Sequence, residues 1–293
     1  MAENWEEVLD WLKPKEPPFC PEQPSLPQKV FLRTNALEAM FGGAAGGGKS
    51  SALLMAALQY VDVPGYSALL FRRTLQDLTL PGALMDRFVS WMSNYDDVRW
   101  NANSYTATFP SGARIGFGYL NNKDDYLRYK GVEIQFCGMD EVTEIRETDY
   151  RYLFSRLRRP NSGPLAQVPL RMRCATNPAP NWVRQRFLVE GPSKGRVFVP
   201  SKLTDNPGID PESYRRALQE LPPEERKRLE EGDWWVTSLG TMPINLDATG
   251  IDVAYSCTQK GLSCPPGLSP ISCSPFAMEK LKARTTVNHS WYL

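Results

Sequence analysis

The sequence predicts an α/β fold, a mainly parallel central sheet flanked by helices. Three observations predict it. From about Val30 onward, apolar runs of strand length alternate with helical stretches, and strands separated by helices need crossover connections that cover both faces of a parallel sheet. A glycine-rich segment joins the first such strand to the first such helix. A later apolar run ends in two adjacent carboxylates, Asp140 and Glu141, and open parallel sheets bind their ligands at the carboxyl ends of their strands.

Taken in order, residues 1–13 place Trp5, Val8, Leu9 and Leu12 at helical spacing, the stripe of a short amphipathic helix that packs on its own domain or docks a partner. Residues 14–27 hold six prolines and read as an extended linker or surface strap. Residues 36–41 read as a strand, Lys49 to about Tyr60 as a helix rich in Ala, Leu and Met, and 67–71 as a buried strand. Thr74 to about Met92 reads as helical, broken at Pro81-Gly82. Residues 105–109 and 114–118 flank Pro110-Ser111-Gly112-Ala113 as a hairpin. Buried strands follow at 132–140 and 169–176, then a helix from about Asn181. No internal repeat is visible.

The 293 residues allow one large domain or two smaller ones. With 42% hydrophobic and 23% charged residues the chain is no mostly disordered polymer. No apolar run approaches the ~20 residues of a membrane span, and the acidic N-terminus lacks the basic start and apolar core of a signal peptide. A cytoplasmic protein with no membrane partner is expected. Six cysteines without a C-x-x-C pair, and a single histidine at 289, exclude zinc fingers and a disulfide scaffold. The net charge of +1 hides an asymmetry. Only seven charged residues lie beyond Val236, in a tail rich in Gly, Pro, Ser and Cys.

Gly43-Ala44-Ala45-Gly46-Gly47-Gly48-Lys49-Ser50 matches G-x-x-x-x-G-K-[ST] at every position. Glycines let the backbone curl so that successive N–H groups face phosphate oxygens, and the following helix N-terminus, with Ser51 in its first turn, adds positive potential. Lys49 would reach the β- and γ-phosphates of ATP, and Ser50 would ligate Mg²⁺. Asp140 would hold the metal's water shell, and Glu141 would act on an attacking water as general base. Thr176 and Asn177 end the 169–176 strand. They sense the γ-phosphate if that strand neighbours the phosphate loop, or else they form a strand-end turn, since Asn-Pro initiates turns. Residues 151–189 contain eight arginines and no acid. Arginine suits phosphates, on DNA or as a finger on a neighbour's ATP; the alternative is a solvated helix face. Arg156 and Arg158 from this stretch, with Arg72 and Arg73 after the 67–71 strand, are the finger candidates.

Together FGGAAGGGKSSALLMAALQY, ALLFRRT, FPSGARIGFGYL, LRYKG, Met139-Asp140-Glu141, FSRLRRP, CATNP and RLEEGDWWV resemble the ATPase domain of the large terminase subunit of tailed bacteriophages, over about residues 27–236. The resemblance implies a P-loop NTPase fold of the ASCE type. It implies a motor that pumps double-stranded DNA into a procapsid, working as a ring homo-oligomer on the portal protein with a small terminase subunit as partner, in the cytoplasm of a bacterial host. Lys49 and Ser50 then take the Walker A roles, Asp140 and Glu141 the Walker B roles, and Thr176-Asn177 the motif coupling hydrolysis to movement, so that Glu141, Lys49 and Asn177 form the catalytic set. Gln28 is the best match to the adenine-contacting glutamine. Many relatives carry Arg within the loop where this chain has Ala44 and Ala45, so the charge-stabilising arginine is expected from elsewhere. The family's nuclease domain does not follow GDW, so DNA cutting is not expected.

The tail, from VTSLGTMPINLDATG onward, resembles a segment of the alanine–glyoxylate and serine–glyoxylate aminotransferases. There Lys260, after Gln259, matches the lysine that forms a Schiff base with pyridoxal phosphate. The phosphate-binding segments of that family are missing, and Asp233 is one residue out of register for the acid that partners the cofactor's pyridine nitrogen, with Trp234 in that place. A fragment of a larger domain has no complete core of its own, so weak order and no transamination are expected. The expected organisation is 1–27 helix and linker, 28–236 ATPase domain, and 237–293 fragment. Competing functions are a helicase-like nucleic-acid-dependent ATPase, which a DNA unwinding assay would reveal, a pyridoxal-phosphate aminotransferase resting on the tail, and a remnant that binds nucleotide without turnover.

Overall fold

Eight strands form one sheet in the first of two compact units, residues 1–234 and 235–293. The computed structural model describes residues 15–206 and 208–234, with 253–255, 271–273, Pro275 and Glu279. The expected helix at 1–13 and Lys260 lie outside the described residues. The strands are β1 (Glu38–Gly43), β2 (Ser67–Arg72), β3 (Arg99–Asn101), β4 (Thr106–Thr108), β5 (Arg114–Tyr119), β6 (Phe136–Asp140), β7 (Arg171–Thr176) and β8 (Val197–Ser201). Their order is β3-β4-β5-β2-β6-β7-β1-β8. From β5 to β8 every pairing is parallel, and β3 and β4 extend the sheet as an antiparallel edge. The expected hairpin is thus the β4–β5 pair. β7 lies between β1 and β6, which sets Thr176 between the phosphate loop and the acidic pair.

Alternation along the central strands feeds two apolar layers. Ala39 and Phe41 of β1, Ala68 and Leu70 of β2 and Phe136 of β6 face one core; Met40, Phe71, Cys137 and Met139 face the other. The helices are α1 (Leu26–Arg33), α2 (Lys49–Leu58), α3 (Leu75–Thr79), α4 (Leu84–Met92), α5 (Glu147–Phe154), α6 (Trp182–Arg184, continuing into a π turn at Gln185–Val189), α7 (Pro211–Leu218) and α8 (Pro223–Glu231). α1, α2 and α4 cover the first core, and α5 and α6 the second. α2 is buried almost all round, as an apolar helix with no charge after Lys49 must be.

Three expectations change. The Pro-rich segment 14–27 is not extended to its end, because α1 begins at Leu26 with Pro27 in its first turn. Proline is tolerated there since those N–H groups have no helical partner. Residues 15–25 do run as a strap without helix or strand, pinned by Phe19 against Tyr95 and Phe109 and by Lys15 on Asp62. The 132–140 strand starts only at Phe136; before it, Ile134 makes a single bridge to Leu157. The arginine stretch is no single patch. Arg173 is fully buried and donates to the carbonyls of Thr34 and Ala36 at 2.9 Å each. Arg171 is buried against Gln59. Arg186 and Arg196 enclose the Glu38 carboxylate at 2.8 and 3.0 Å. These guanidiniums serve the sheet, each meeting acceptors as buried charge requires, although Nε of Arg171 and of Arg173 is buried without a partner among the described residues. In the second unit, β9 (Val253–Tyr255) and β10 (Ile271–Cys273) pair antiparallel.

Candidate nucleotide site

The phosphate loop leaves β1 at Gly43 and enters α2 at Lys49. Gly43 has φ 143°, and a Cβ on it would lie 2.2 Å from the Ser201 carbonyl oxygen, so only glycine fits. The loop is held from outside. The Ala44 N–H donates to Ser201 O at 2.9 Å, and the Ala45 N–H to Leu229 O of α8 at 2.6 Å. Lys49 is 8% exposed and its Nζ donates to Ala44 O at 2.6 Å. Burial lowers its pKa, against the pull of Glu141 and Asp140. Ser51 lies in the first turn of α2, and its hydroxyl accepts from Arg87 Nη1 of α4 at 3.0 Å.

Asp140 ends β6 and is 2% exposed. Ser50 Oγ lies 3.3 Å from both of its carboxylate oxygens, and Arg72 Nε 3.1 Å from Oδ2. Burial pushes the Asp140 carboxyl up to about 6, opposed by Arg72 and reinforced by Glu141. Glu141 takes a left-handed conformation, φ 47° and ψ 51°, costly for a non-glycine residue and found where surroundings over-determine it. Here the surroundings are donors: Thr176 Oγ1 at 3.0 Å and Asn177 N at 3.3 Å on Oε2, and Asn177 Nδ2 at 3.2 Å on Oε1. Asn177 Oδ1 is buried without a hydrogen-bond partner among the described residues.

The structure therefore brings Lys49, Ser50, Asp140, Glu141, Thr176 and Asn177 to one point, with no hydrogen-bonded turn at Thr176-Asn177. It adds Arg72 from the same chain, which lies 3.8 Å from Glu141 and also donates to Asp77 O at 3.0 Å. Arg73 is exposed. Arg156 and Arg158 lie at the opposite end of the sheet. They flank Leu157, which bridges the residue run entering β6, and Arg158 pairs with Glu133 at 3.3 Å. Gln28 packs against the loop, with Nε2 donating to Gly48 O at 2.9 Å and Oε1 accepting from Ser25 N at 2.8 Å. Sequence reasoning missed Asn206, whose Nδ2 donates to Gly46 O at 2.6 Å. Its Asp-Asn-Pro-Gly setting signals only a turn. No helix among the described residues is long and apolar enough to cross a membrane.

The phage terminase large subunit family matches residues 35–229, and the chain belongs to that family. Its fold is similar to the large terminase of a thermophilic bacteriophage (TM-score 0.59, 14% identity, 73% of this chain and 54% of that one), also solved with ADP and with ATP-gamma-S. It is similar to the ATPase domain of a Thermus phage large terminase (TM-score 0.53, 14% identity, 74% of this chain and 96% of that one). The chain thus spans about half of the full terminase and nearly all of the ATPase domain. The tail is similar over 58 residues, at 52% identity, to alanine–glyoxylate aminotransferase of Oryctolagus cuniculus, covering 20% of this chain and only 15% of that enzyme.

Proposed function

We propose, on the premise of that membership, that the chain is the ATP-hydrolysing motor of a phage large terminase and drives double-stranded DNA into a procapsid. The observation that carries the proposal is the convergence of Ser50, Asp140, Glu141, Thr176 and Asn177 beside the phosphate loop, where β1, β6 and β7 end. The loop N–H groups beyond those of Ala44 and Ala45, together with Lys49, receive the phosphates of ATP, and Lys49 exchanges the Ala44 carbonyl for a phosphate oxygen. The carboxylate of Glu141 is aimed by three donors and takes the proton of the attacking water. Because Thr176 and Asn177 hold Glu141 from the end of β7, any change at the carboxylate is felt along that strand, which supports the coupling role.

The residues fit Mg²⁺. Ser50 Oγ and the buried Asp140 carboxylate supply hard oxygen donors at one point, the set this ion prefers, with nucleotide and water completing its shell. When bound, it would neutralise the charge developing on the phosphates. Arg72 takes the place of the arginine that relatives carry in the loop and acts within its own subunit. Arg156 and Arg158, at the other end of the sheet, are left for a neighbour in a ring. Portal protein and small terminase subunit are the partners this reading implies, in the cytoplasm of a bacterial host. The reading gives the segment beyond Val236 no catalytic role.

The test is ATP hydrolysis with and without double-stranded DNA, with Glu141→Gln as control. DNA should stimulate turnover, and the variant should bind ATP but turn over about 10²–10⁴-fold more slowly, the usual worth of a general base. Hydrolysis by Glu141→Gln at the normal rate would sink the base assignment.

A further inference from the structure

Three carbonyls of the phosphate loop, at alternate residues, are each capped by a side-chain donor. Ala44 O takes Lys49 Nζ at 2.6 Å, Gly46 O takes Asn206 Nδ2 at 2.6 Å, and Gly48 O takes Gln28 Nε2 at 2.9 Å. The last two donors are carboxamides from different elements. Gln28 comes from α1, ahead of β1, and Asn206 from the turn after β8. Both border Gly48, where a Cβ would sit 2.7 Å from Gln28 Nε2 and 3.9 Å from Asn206 Cγ. Gly48 has φ 74°, so it is glycine for its backbone and for the close approach of the glutamine alike.

The far ends of both amides are tied down as well. Gln28 Oε1 accepts from Ser25 N at 2.8 Å, closing the first turn of α1, and Asn206 Oδ1 accepts from Gly208 N at 3.0 Å. Gln28 is only 6% exposed. A peptide group whose carbonyl is fixed on one side presents its N–H to the other, which is how a run of backbone amides becomes an anion cradle.

We propose that Gln28 and Asn206 form a two-sided brace that holds the phosphate loop open for a polyphosphate, and that Gln28 does not read the adenine base. This rests on the nucleotide reading above. Both are positioning residues, since they act through the loop carbonyls. The consequence is chemical. A base reader discriminates ATP from GTP and is indifferent to a ligand without a base. A brace acts on the phosphate chain alone, so its loss weakens ATP, GTP and inorganic tripolyphosphate by one common factor.

The experiment measures binding of ATP, GTP and tripolyphosphate to the full chain and to Gln28→Met and Asn206→Ala, with thermal melting as the folding control. Each variant should weaken all three ligands about three- to tenfold, the worth of one hydrogen bond, and leave the ATP-to-GTP ratio unchanged. Gln28→Met that binds tripolyphosphate normally but loses preference for ATP overturns the brace and restores the base contact. Asn206→Ala with normal tripolyphosphate affinity overturns its two-sidedness, and this variant decides the matter if Gln28→Met does not fold. A wild-type chain that binds neither ATP nor tripolyphosphate overturns the nucleotide reading itself, and the brace with it.

Discussion

Arg72 stands 3.1 Å from Asp140 and 3.8 Å from Glu141 of its own chain, and this favours one of two ways an arginine can serve a phosphate site. A finger reaches a neighbour's nucleotide, whereas Arg72 already neutralises the acidic pair of its own site. Mixing Arg72→Ala with Glu141→Gln separates the two. A finger acting across subunits would restore hydrolysis in the mixture, because the second variant lends its arginine to the first; we expect no restoration. Lys49 has a simpler fate. Lys49→Ala removes a charge-assisted donor from the phosphates and should weaken ATP binding about 10–100-fold in a direct titration. At this scale the sequence was legible where chemistry demands a residue type at a fixed spacing, as in the loop and in Asp140-Glu141. It was illegible where a common amide such as Asn206 matters only through what the fold sets beside it.

Elements are held to one another by buried polar hubs, and Glu38 at the start of β1 is one of them. It takes Arg186 from the π turn after α6, Arg196 ahead of β8, and the Tyr150 hydroxyl of α5 at 2.7 Å. Burial alone would push its carboxyl up, but hydrogen bonds from Arg186, Tyr150 and Arg196 outweigh it and bring its pKa below the usual 4.5. A carboxylate lowered on folding stabilises the native state above its unfolded pKa, and the gain disappears as pH falls through the lower, folded value. Unfolding free energy followed from about pH 5 to pH 3 should therefore fall more steeply for the wild type than for Glu38→Gln. At neutral pH the variant should be about 1–3 kcal/mol less stable, because two half-buried guanidiniums lose the Glu38 charge while Arg196 keeps Glu190 at 3.7 Å. Parallel pH curves would show that the hub contributes nothing through ionisation. The hub also explains why the acid-free arginine stretch misleads. Its acids are present, but Glu38 precedes the stretch by more than a hundred residues. α1 was hidden for a related reason. Prolines at 24 and 27 signal extended chain, and only Ser25, Gln28 and the apolar contacts of Phe31 and Leu32 turn the segment helical.

For the whole molecule, the division at Trp234 and Trp235 bears on how far stability depends on the tail. A chain ending at Val236 should melt within about 2 °C of the full chain, less than the shift that ~1 kcal/mol would cause in a domain of this size. A larger drop on truncation would mean that the tail completes the core of the first unit. The sequence by itself determined the α/β class, the phosphate loop between strand and helix, and the acidic pair at a strand end. Each follows from local rules, namely periodicity, the backbone freedom of glycine and the chemistry of phosphate. Only the tertiary structure decided the strand order that sets β7 between β1 and β6, the burial of Arg171 and Arg173 in that strand, and the meeting of Arg72, Gln28 and Asn206 with the loop. Those depend on which distant segments become neighbours. That is settled by packing the two apolar faces of the sheet at once, and no local pattern records it.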